Sequence, residues 1–278
     1  MDIILYNPLS RNGKSQGIVD ELVVKLQSEG RETAVHSILE IPSVANFIQS
    51  VEKEDRVIIL GGDGTLHHLV NSIRGYDITQ PIYVLKAGTG NDFIRSIPSK
   101  DHLIQINDYI QDLPKVTVNG EESLFLNGTG IGVDAYVCHL VNTSTKKKSA
   151  ANYFKNALKA FLTYKPSDAT VTIDGITKSY KKVWFILAAN SVYMGGGMKF
   201  SPSSVRGDDL LEFLIIHRVP RFILFLIFPT IYFGKHVWFK RWVTIIQGKT
   251  MDVAYGKVSF LQKDGESVNH VQSMHIQR

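Results

Sequence analysis

A short apolar run that ends in glycine, glycine, aspartate, glycine and threonine constrains this chain more than any other feature. Residues 57–60 are Val-Ile-Ile-Leu, residues 61–65 are Gly-Gly-Asp-Gly-Thr, and a helix-forming run follows at 66–70. Glycine lets the backbone approach a ligand closely, and N–H groups at a helix start favour phosphate oxygens. A carboxylate repels a phosphate unless a cation or hydrogen-bond donors lie between them. The pattern therefore predicts a magnesium-nucleotide site at a strand–turn–helix junction.

A second turn of the same composition strengthens this prediction. Residues 87–93 are Ala-Gly-Thr-Gly-Asn-Asp-Phe, and they follow another apolar run at 82–85. Turns after successive parallel strands lie on one edge of a sheet, which is where open α/β sheets bind ligands. The alternative is two ordinary strand-to-helix turns, in which Gly and Asp are common. The repetition favours the phosphate site.

Composition narrows the class of partner and the compartment. The chain has 278 residues and a formal charge of +5, with a pI of about 9.1, which favours anionic partners such as a nucleotide or an acidic lipid. Cys138 is the only cysteine, so an intrachain disulfide is excluded and a reducing compartment is expected. The first residues predict a strand rather than a signal peptide. We therefore expect a cytoplasmic protein.

The first part of the chain alternates strands and helices. Apolar strands are predicted at 2–6, 33–38, 56–60 and 82–85, and helices at 15–29, 42–53, 65–74 and 101–111. This alternation is typical of a Rossmann-like parallel sheet with helices on both faces.

After Pro114 the pattern changes to short β-rich runs separated by turns. Asn119-Gly120, Asp174-Gly175 and Asp264-Gly265 are hairpin signals. The runs predict an antiparallel β-sandwich with one helix near 150–162. We therefore predict a nucleotide-binding α/β domain at 1–115 and a β-sandwich domain at 116–278, with the active site in the cleft between them.

Three of these motifs together resemble the catalytic region of diacylglycerol kinases. They are Asn7-Pro8, residues 61–65 and residues 88–93. The chain is most similar to soluble bacterial lipid kinases, which share a fold with sphingosine kinases and NAD kinases. Later matches follow in the family's order: Asn127-Gly128, Ala189-Asn190, residues 195–197, Ser201-Pro202, residues 208–212, residues 234–236 and residues 264–266. The resemblance implies ATP-dependent phosphorylation of a hydroxyl on diacylglycerol or a related lipid.

The resemblance also assigns roles to individual residues. Asp63 and Asp92 are expected to organise Mg²⁺, directly or through water, and Glu266 is expected to be the base that accepts the proton of the lipid hydroxyl. Read without the other motifs, Glu266 is only the tip of a hairpin. The residues expected to bind ATP are Asn7, Pro8, Ser10, Ser37, Gly62, Asp63, Gly64, Thr65, His68, Thr89 and Asn91.

A structural Mg²⁺ is implied further along the chain. The Asp208 side chain and the carbonyl groups of Val205 and Leu210 occupy the matching positions. A solvated turn is the alternative for this loop.

Two other phosphate-binding motifs are excluded by their spacing. Residues 13–15 are Gly-Lys-Ser, but the first glycine of a Walker A motif would fall on Pro8. A dinucleotide fingerprint beginning at Gly88 would require glycine at Phe93, and one beginning at Gly128 would require it at Val133.

Two departures from the family pattern leave other functions open. His67-His68 stand where members commonly have Asn-Glu, and Arg11 replaces a usual glycine. A non-catalytic nucleotide- or lipid-binding protein is therefore an alternative. An NAD kinase-like enzyme is another, because NAD kinases share the Gly-Gly-Asp-Gly turn. The Asn-Pro start, the block at 88–93 and the apolar residues 222–233 favour the lipid kinase.

The segment 221–242 combines an apolar run with cationic and aromatic flanks. The apolar stretch is broken by Pro229 and is shorter than the roughly 20 residues that span a bilayer. Its flanks suit a lipid headgroup interface, although a core helix or buried strand is the alternative. Lys146-Lys147-Lys148 could add attraction to anionic lipid. We expect a lipid substrate at the membrane surface and no nucleic acid, and a homodimer stays open.

Overall fold

The chain folds into two compact units, Met1–Asp112 and Leu113–Arg278. The computed structural model describes residues 1–10, 15–86, 91–144 and 150–278, with side chains from residue 155 onward in the last range.

The N-terminal unit is a five-stranded sheet whose spatial order is β2-β1-β3-β4-β5. The first four strands are parallel, and β5 is antiparallel to β4. The strands are β1 (Asp2–Tyr6), β2 (Thr33–Ser37), β3 (Arg56–Leu60), β4 (Ile82–Leu85) and β5 (Leu103–Gln105). The helices are α1 (Ser15–Ser28), α2 (Val44–Gln49), α3 (Asp63–Ser72), α4 (Asp92–Arg95) and α5 (Asn107–Ile110).

Apolar periodicity explains how helices cover this sheet. Val19, Leu22 and Leu26 of α1 recur every three or four residues and pack on Ile4 and Ile58. Residues 57–60 of β3 are each no more than 2% exposed, so both faces of that strand are covered. The predicted Rossmann-like fold class is confirmed.

The helix predicted at 101–111 is wrong. This region contains β5 and the single-turn α5, and β5 pairs with β4 from Leu103 to Gln105. Ile104 and Ile106 are both buried and lie two residues apart, which is the period of a strand. The unfilled edge of β4 supplies the hydrogen-bond partners that decide this outcome.

The C-terminal unit is an antiparallel sheet that folds over itself. Its nine strands follow the order β14-β13-β10-β8-β15-β16-β6-β7, with β9 paired to both β10 and β15. They are β6 (Lys115–Val118), β7 (Glu121–Leu124), β8 (Gly128–Gly132), β9 (Ser167–Ile173), β10 (Ile176–Ala189), β13 (Leu211–His217), β14 (Val243–Gly248), β15 (Thr250–Lys263) and β16 (Glu266–Gln277). A separate two-stranded sheet consists of β11 (Tyr193–Met194) and β12 (Met198–Lys199).

The long strands β10 and β15 produce the two layers. In β10 the partner strand changes from β9 to β8 between Val183 and Phe185, just after an irregularity between Tyr180 and Val183. In β15 the register shifts between Ala254 and Ser259, so Thr250–Lys263 is one bent strand. Bulges increase local twist and bend a strand. The apolar side chains between the layers form one core, which confirms the predicted β-sandwich class.

The three predicted hairpin turns are confirmed. Asn119-Gly120, Asp174-Gly175 and Asp264-Gly265 each have positive φ at both residues and connect paired strands. This is the type I′ geometry that matches the twist of a hairpin.

Helices cover the outer side of the β10–β13 region. They are α6 (Val133–Asn142), α7 (Ala150–Thr163) and α8 (Arg221–Ile227), followed by 3-10 turns at Phe228–Phe233 and Lys235–Trp238. The sequence predicted α7 but not α6, which begins directly after β8 at Gly132 with φ of 130°. A side chain at this glycine would lie 2.4 Å from the Trp184 carbonyl oxygen.

Candidate functional site

The glycine-rich turn after β3 depends on a close approach between Gly61 and Thr65. A Cβ atom added at Gly61 would lie 2.4 Å from the Cβ of Thr65, so only glycine fits. Gly62 is the N-cap of α3 and has open space around it. Asp63 and Gly64 then occupy the first turn of α3, whose N–H groups lack intrahelical acceptors. This junction has the geometry of an anion-binding helix start.

The Asp63 carboxylate connects this turn to the loop after β4. Its Oδ2 accepts the backbone N–H of Asp92 at 2.9 Å, and its Oδ1 accepts that of Phe93 at 2.9 Å. The two carboxylate-bearing turns that the sequence placed on one sheet edge are therefore directly joined. Hydrogen bonds from backbone N–H groups favour the charged form of a carboxylate.

Asp92 and Asn91 occupy different positions in the second loop. Asp92 is 2% exposed, and its Oδ1 accepts a hydrogen bond from Arg95 at 3.0 Å. Asn91 is the N-cap of α4, because its Oδ1 accepts the Ile94 N–H at 3.0 Å. The buried Asn91 Nδ2 has no acceptor among the described residues. A buried donor without a partner is costly, and a phosphate oxygen would satisfy it.

The Asn-Pro turn after β1 packs next to α3. Asn7 Nδ2 lies 3.4 Å from Thr65 Oγ1, and Asn7 Oδ1 accepts the Leu9 N–H at 2.9 Å. The sequence analysis missed Ser15, which is fully buried and whose hydroxyl donates to the Asn7 carbonyl at 2.9 Å. The same hydroxyl also lies near the carbonyl groups of Pro8 and Ser10, so Ser15 fixes the turn. The sequence feature that could have indicated this role is the position of Ser15 at the start of α1.

An open cavity lies beside these turns. Its volume is about 500 Å³, within the range of small-molecule sites. Asn7, Thr65 and His68 supply polar groups, and Ile38 and Val44 are among the apolar residues that line it. His68 is exposed, whereas His67 is buried and faces away from solvent. Ser37 does not line this cavity, and its buried hydroxyl has no partner among the described residues.

Some of the sequence predictions fall on residues that the structure does not describe. Thr89, Arg11 and residues 146–148 lie outside the described ranges. The ATP contact expected at Thr89 therefore stays a prediction.

The carboxylates at this edge of the sheet suit a cation that takes most of its ligands from water and from substrate phosphates. In the described ranges no group of three or more His, Cys, Asp or Glu side chains could hold a metal ion. Asp63 and Asp92 offer oxygen ligands, which Mg²⁺ prefers, and Mg²⁺ commonly completes its shell with water and substrate phosphates. The donor set therefore fits a nucleotide-bound Mg²⁺ and not a cage made of protein alone.

In the C-terminal unit, Asp264 holds the turn that carries Glu266. Its carboxylate accepts the N–H groups of Leu126 at 2.7 Å, Asn127 at 2.8 Å and Gly128 at 3.2 Å. Glu266 begins β16 directly after the turn and is partly exposed. The carboxylate of Asp264 therefore holds the turn in place, and the Glu266 side chain next to it is partly exposed.

Gly265 is held at both of its backbone polar groups. Gln262 Oε1 accepts its N–H at 2.9 Å, and Asn142 Nδ2 donates to its carbonyl at 3.1 Å. Gln262 is buried and its Nε2 lies 3.4 Å from Asp134 Oδ2. The sequence analysis missed Gln262, Asn142 and Asp134, because they belong to no local motif.

A second network joins motifs that are far apart in sequence. Asn190 Nδ2 donates to the Leu126 carbonyl at 2.9 Å, and the Asn190 N–H donates to the Asn127 carbonyl at 2.8 Å. Arg206 donates to the Leu126 carbonyl at 2.7 Å and to Asn127 Oδ1 at 2.5 Å. The Asn127-Gly128, Ala189-Asn190 and Asp264-Gly265 matches thus belong to one hydrogen-bonded region.

The loop expected to hold a structural Mg²⁺ contains oxygen donors. Asp208 Oδ1 accepts the Leu210 N–H at 3.2 Å, and the Asp208 N–H lies 3.5 Å from the Val205 carbonyl. The Asp208 carbonyl accepts a hydrogen bond from Arg278 at 2.8 Å. Oxygen donors of this kind suit Mg²⁺, and the loop is also closed by its own hydrogen bonds. The metal at this position stays a prediction.

Fold and site together define a class: proteins with a glycine- and aspartate-rich edge on an α/β sheet, followed by an antiparallel β-sandwich. Residues 3–119 match the family model described as "Diacylglycerol kinase catalytic domain". Residues 128–275 match the model described as "YegS C-terminal NAD kinase beta sandwich-like domain". The chain belongs to the diacylglycerol kinase catalytic-domain family, as its sequence motifs predicted.

The names of individual relatives agree with this family assignment. The chain is 29% identical over 235 residues to "Putative lipid kinase YtlR" of Bacillus subtilis, covering 76% of this chain and 72% of that protein. It is 25% identical over 264 residues to a diacylglycerol kinase of Mycobacterium tuberculosis, covering 90% and 83%. A crystal structure described as "a putative diacylglycerol kinase from Bacillus anthracis str. Sterne" has a TM-score of 0.70 at 19% identity, covering 99% of this chain and 91% of that one. This structural likeness shows the fold.

Proposed function

We propose that this protein is an ATP-dependent kinase that transfers the γ-phosphate to a hydroxyl of diacylglycerol or a related lipid. The observation that carries the proposal is the Asp63 carboxylate, which joins the turn after β3 to the loop after β4 beside a cavity of about 500 Å³. A glycine-lined edge at the start of a helix is suited to a polyphosphate. The family assignment supports a lipid as the acceptor.

Each residue has a role in this proposal. Gly62, Gly64 and Thr65 lie at the start of α3 and would face the phosphates. The Asn91 amide, which has no acceptor among the described residues, would donate to a phosphate oxygen. Asn7 and His68 would contact the rest of the nucleotide from the cavity wall. Asp63 and Asp92 would hold Mg²⁺, which neutralises charge on the phosphates.

Glu266 is the proposed base. It would accept the proton of the lipid hydroxyl while the hydroxyl oxygen forms a bond to the γ-phosphorus and the bond to the β–γ bridging oxygen breaks. The products are the phosphorylated lipid, ADP and a protonated Glu266 that returns its proton to water. Asp264, Gln262 and Asn142 keep the turn of Glu266 in place.

A transfer assay tests the proposal. Purified protein is incubated with γ-labelled ATP, Mg²⁺ and a total bacterial lipid extract, and in parallel with NAD. We expect label in a lipid that comigrates with phosphatidate and none in NAD. Label in NAD alone would replace the lipid kinase with an NAD kinase-like enzyme. Absence of label in both arms would contradict either activity, provided that ATP binding is shown in the same sample.

One observation favours a second candidate, a non-catalytic nucleotide-binding protein. His68 lines the cavity at a position where the family resemblance places a glutamate. The exchange removes a carboxylate one helical turn from the phosphate loop. Such a protein would bind ATP and leave it unhydrolysed and untransferred in the assay above. A variant with His68→Glu that gains transfer activity would identify this exchange as the cause.

A further inference from the structure

The segment after β13 exposes large apolar side chains that a folded core would normally bury. Phe222 and Leu226 of α8 are 67% and 68% exposed, and Phe233 and Trp238 in the 3-10 turns are 73% and 71% exposed. Scattered apolar residues on a surface need no explanation, but a dense group marks an interaction site. These four side chains lie within seventeen residues of sequence.

The same segment is firmly anchored to the unit by its other side. Leu224, Ile227 and Ile231 are buried in the core beneath the helices, and the buried His236 ring lies 3.0 Å from the Phe200 carbonyl. In α8 the exposed pair is spaced four residues apart and lies opposite the buried residues. The exposure is therefore a property of a fixed face and not of a detached chain.

Helix α7 adds a second exposed apolar pair next to α8. Phe161 packs against Phe225 and Phe228 with ring centroids 5.7 and 4.9 Å apart, and Arg221 donates to the Tyr164 carbonyl at 2.9 Å. On the outer side of α7, Leu158 and Leu162 are exposed and spaced four residues apart. We call the exposed residues of both elements the α7–α8 surface: Leu158, Leu162, Phe222, Leu226, Phe233 and Trp238.

The stretches of chain that carry this surface contain cationic residues and no acidic ones. The sequence has no Asp or Glu between Glu212 and Asp252, and none between Asp134 and Asp168. The cationic residues in the described parts of these stretches are Lys155, Lys159, Lys165, Arg218, Arg221, Lys235, Lys240, Arg241 and Lys249. An acid-free, cationic border is complementary to an anionic surface and repels a basic one.

Aromatic and cationic side chains pair at this border. The Lys235 ammonium lies 5.5 Å from the Trp238 ring centroid, and the Arg241 guanidinium lies 5.8 Å from that of Trp242. Tryptophan and long cations are the side chains that bridge an apolar layer and its headgroups. In the described residues, no helix is long and apolar enough to cross a bilayer. The segment therefore suits a position parallel to a membrane surface.

We propose that the α7–α8 surface docks on an anionic phospholipid bilayer, with the apolar side chains entering the headgroup–acyl boundary and the cations contacting lipid phosphates. The occupant is the bilayer and not a second copy of the chain, because a self-complementary contact would bring the same cations of two copies together. This docking is independent of catalysis and needs no nucleotide.

Vesicle flotation tests the proposal on the full chain without ATP. Vesicles of equimolar phosphatidylglycerol and phosphatidylcholine are compared with vesicles of phosphatidylcholine alone. We expect binding to the anionic vesicles that weakens with added salt. Leu226→Ser should lower the vesicle partition coefficient about tenfold, since one large apolar side chain no longer leaves water. Phe222→Ser together with Leu226→Ser should abolish measurable binding.

Matched controls come from the same unit. Ile176 is also 68% exposed but lies at the β9–β10 turn, so Ile176→Ser should bind vesicles like the unchanged protein. Lys240→Gln with Arg241→Gln should remove the preference for anionic vesicles, whereas Lys178→Gln on the β10 strand should not. Equal losses in the Ile176 and Leu226 variants would overturn the proposal. It would also be overturned by absent binding, or by a dimer in solution that the Phe222 and Leu226 exchanges dissociate.

Discussion

Asp63 and Asp92 lie on the loops after two adjacent parallel strands, and the Asp63 carboxylate accepts the Asp92 backbone N–H at 2.9 Å. Its other oxygen accepts the Phe93 N–H at the same distance. Asp63 thus has a structural task in addition to its proposed contact with Mg²⁺. A variant of Asp63 must be interpreted with both tasks in mind.

Asp63→Asn should reduce lipid phosphorylation by at least about a hundredfold, because the negative charge that would attract Mg²⁺ is lost. The new amide also turns an N–H group toward a backbone N–H, which should cost about 1–2 kcal/mol of unfolding free energy. Transfer of labelled phosphate and urea unfolding measure the two effects separately. Hydrogen exchange at the Asp92 and Phe93 amides should become faster. Full activity in a folded variant would contradict the proposed mechanism.

Gly61→Ala should disrupt the phosphate turn, whereas Gly62→Ala should leave the fold intact. A Cβ at Gly61 would lie 2.4 Å from Thr65 Cβ, while nothing lies within 4 Å of a Cβ at Gly62. Overpacking of this kind costs about 1–3 kcal/mol. Urea unfolding of the two single variants checks the difference. Equal stability of both variants would show that the turn relaxes without cost.

Much of the fold could be predicted because it depends on local periodicity. The strands β1, β3 and β4 and the hairpin turns follow directly from apolar runs and Asp-Gly or Asn-Gly pairs. The strand β5 could not, since residues 101–111 form a strand only because the edge of β4 is available for pairing. Helix α6 was missed because it starts immediately after a strand, without a separating loop.

The candidate site was predicted in its position but not in its contacts. The motifs indicated that the turns of Asp63 and Asp92 share a sheet edge, because adjacent parallel strands end on the same side. They did not indicate that both Asp63 oxygens bind backbone N–H groups, or that Arg206 and Gln262 take part. The contacts of Arg206 with Asn127 and of Gln262 with Asp134 span 79 and 128 residues of sequence, and tertiary structure alone defines such partners.

Asp134→Asn should stabilise the protein at neutral pH. Asp134 Oδ1 has no hydrogen-bond partner among the described residues, and burial raises the pKa of the carboxyl group from 3.8 to about 6. The folded pKa lies above the unfolded one, so unfolding free energy falls as pH rises between these two values and stays lower above them. At about 1.4 kcal/mol per pKa unit, we expect a gain of about 1–3 kcal/mol in the variant above pH 7.

Urea unfolding at pH 4 and pH 7.5 measures this effect. The gain should be small at the lower pH, where the Asp134 carboxyl is mostly protonated in the folded protein. Asp20→Asn, an exposed exchange on α1, serves as the control and should not stabilise the protein at either pH. A destabilised Asp134 variant at pH 7.5 would show that the charged carboxylate has a favourable partner.

Asp264→Ala should lower both stability and activity, whereas Asp174→Ala should lower stability alone. Both aspartates have positive φ in Asp-Gly hairpin turns, and both carboxylates accept backbone N–H groups of a distant segment: residues 126–128 for Asp264, and Lys249 and Thr250 for Asp174. Each exchange should therefore cost about 1–3 kcal/mol. Only the turn of Asp264 carries Glu266, so a displaced turn would move the proposed base from its acceptor hydroxyl. The two variants are compared by phosphate transfer at saturating ATP, and each activity is normalised to the folded fraction from urea unfolding. Equal activities of the two variants would show that the turn of Asp264 has no part in the mechanism.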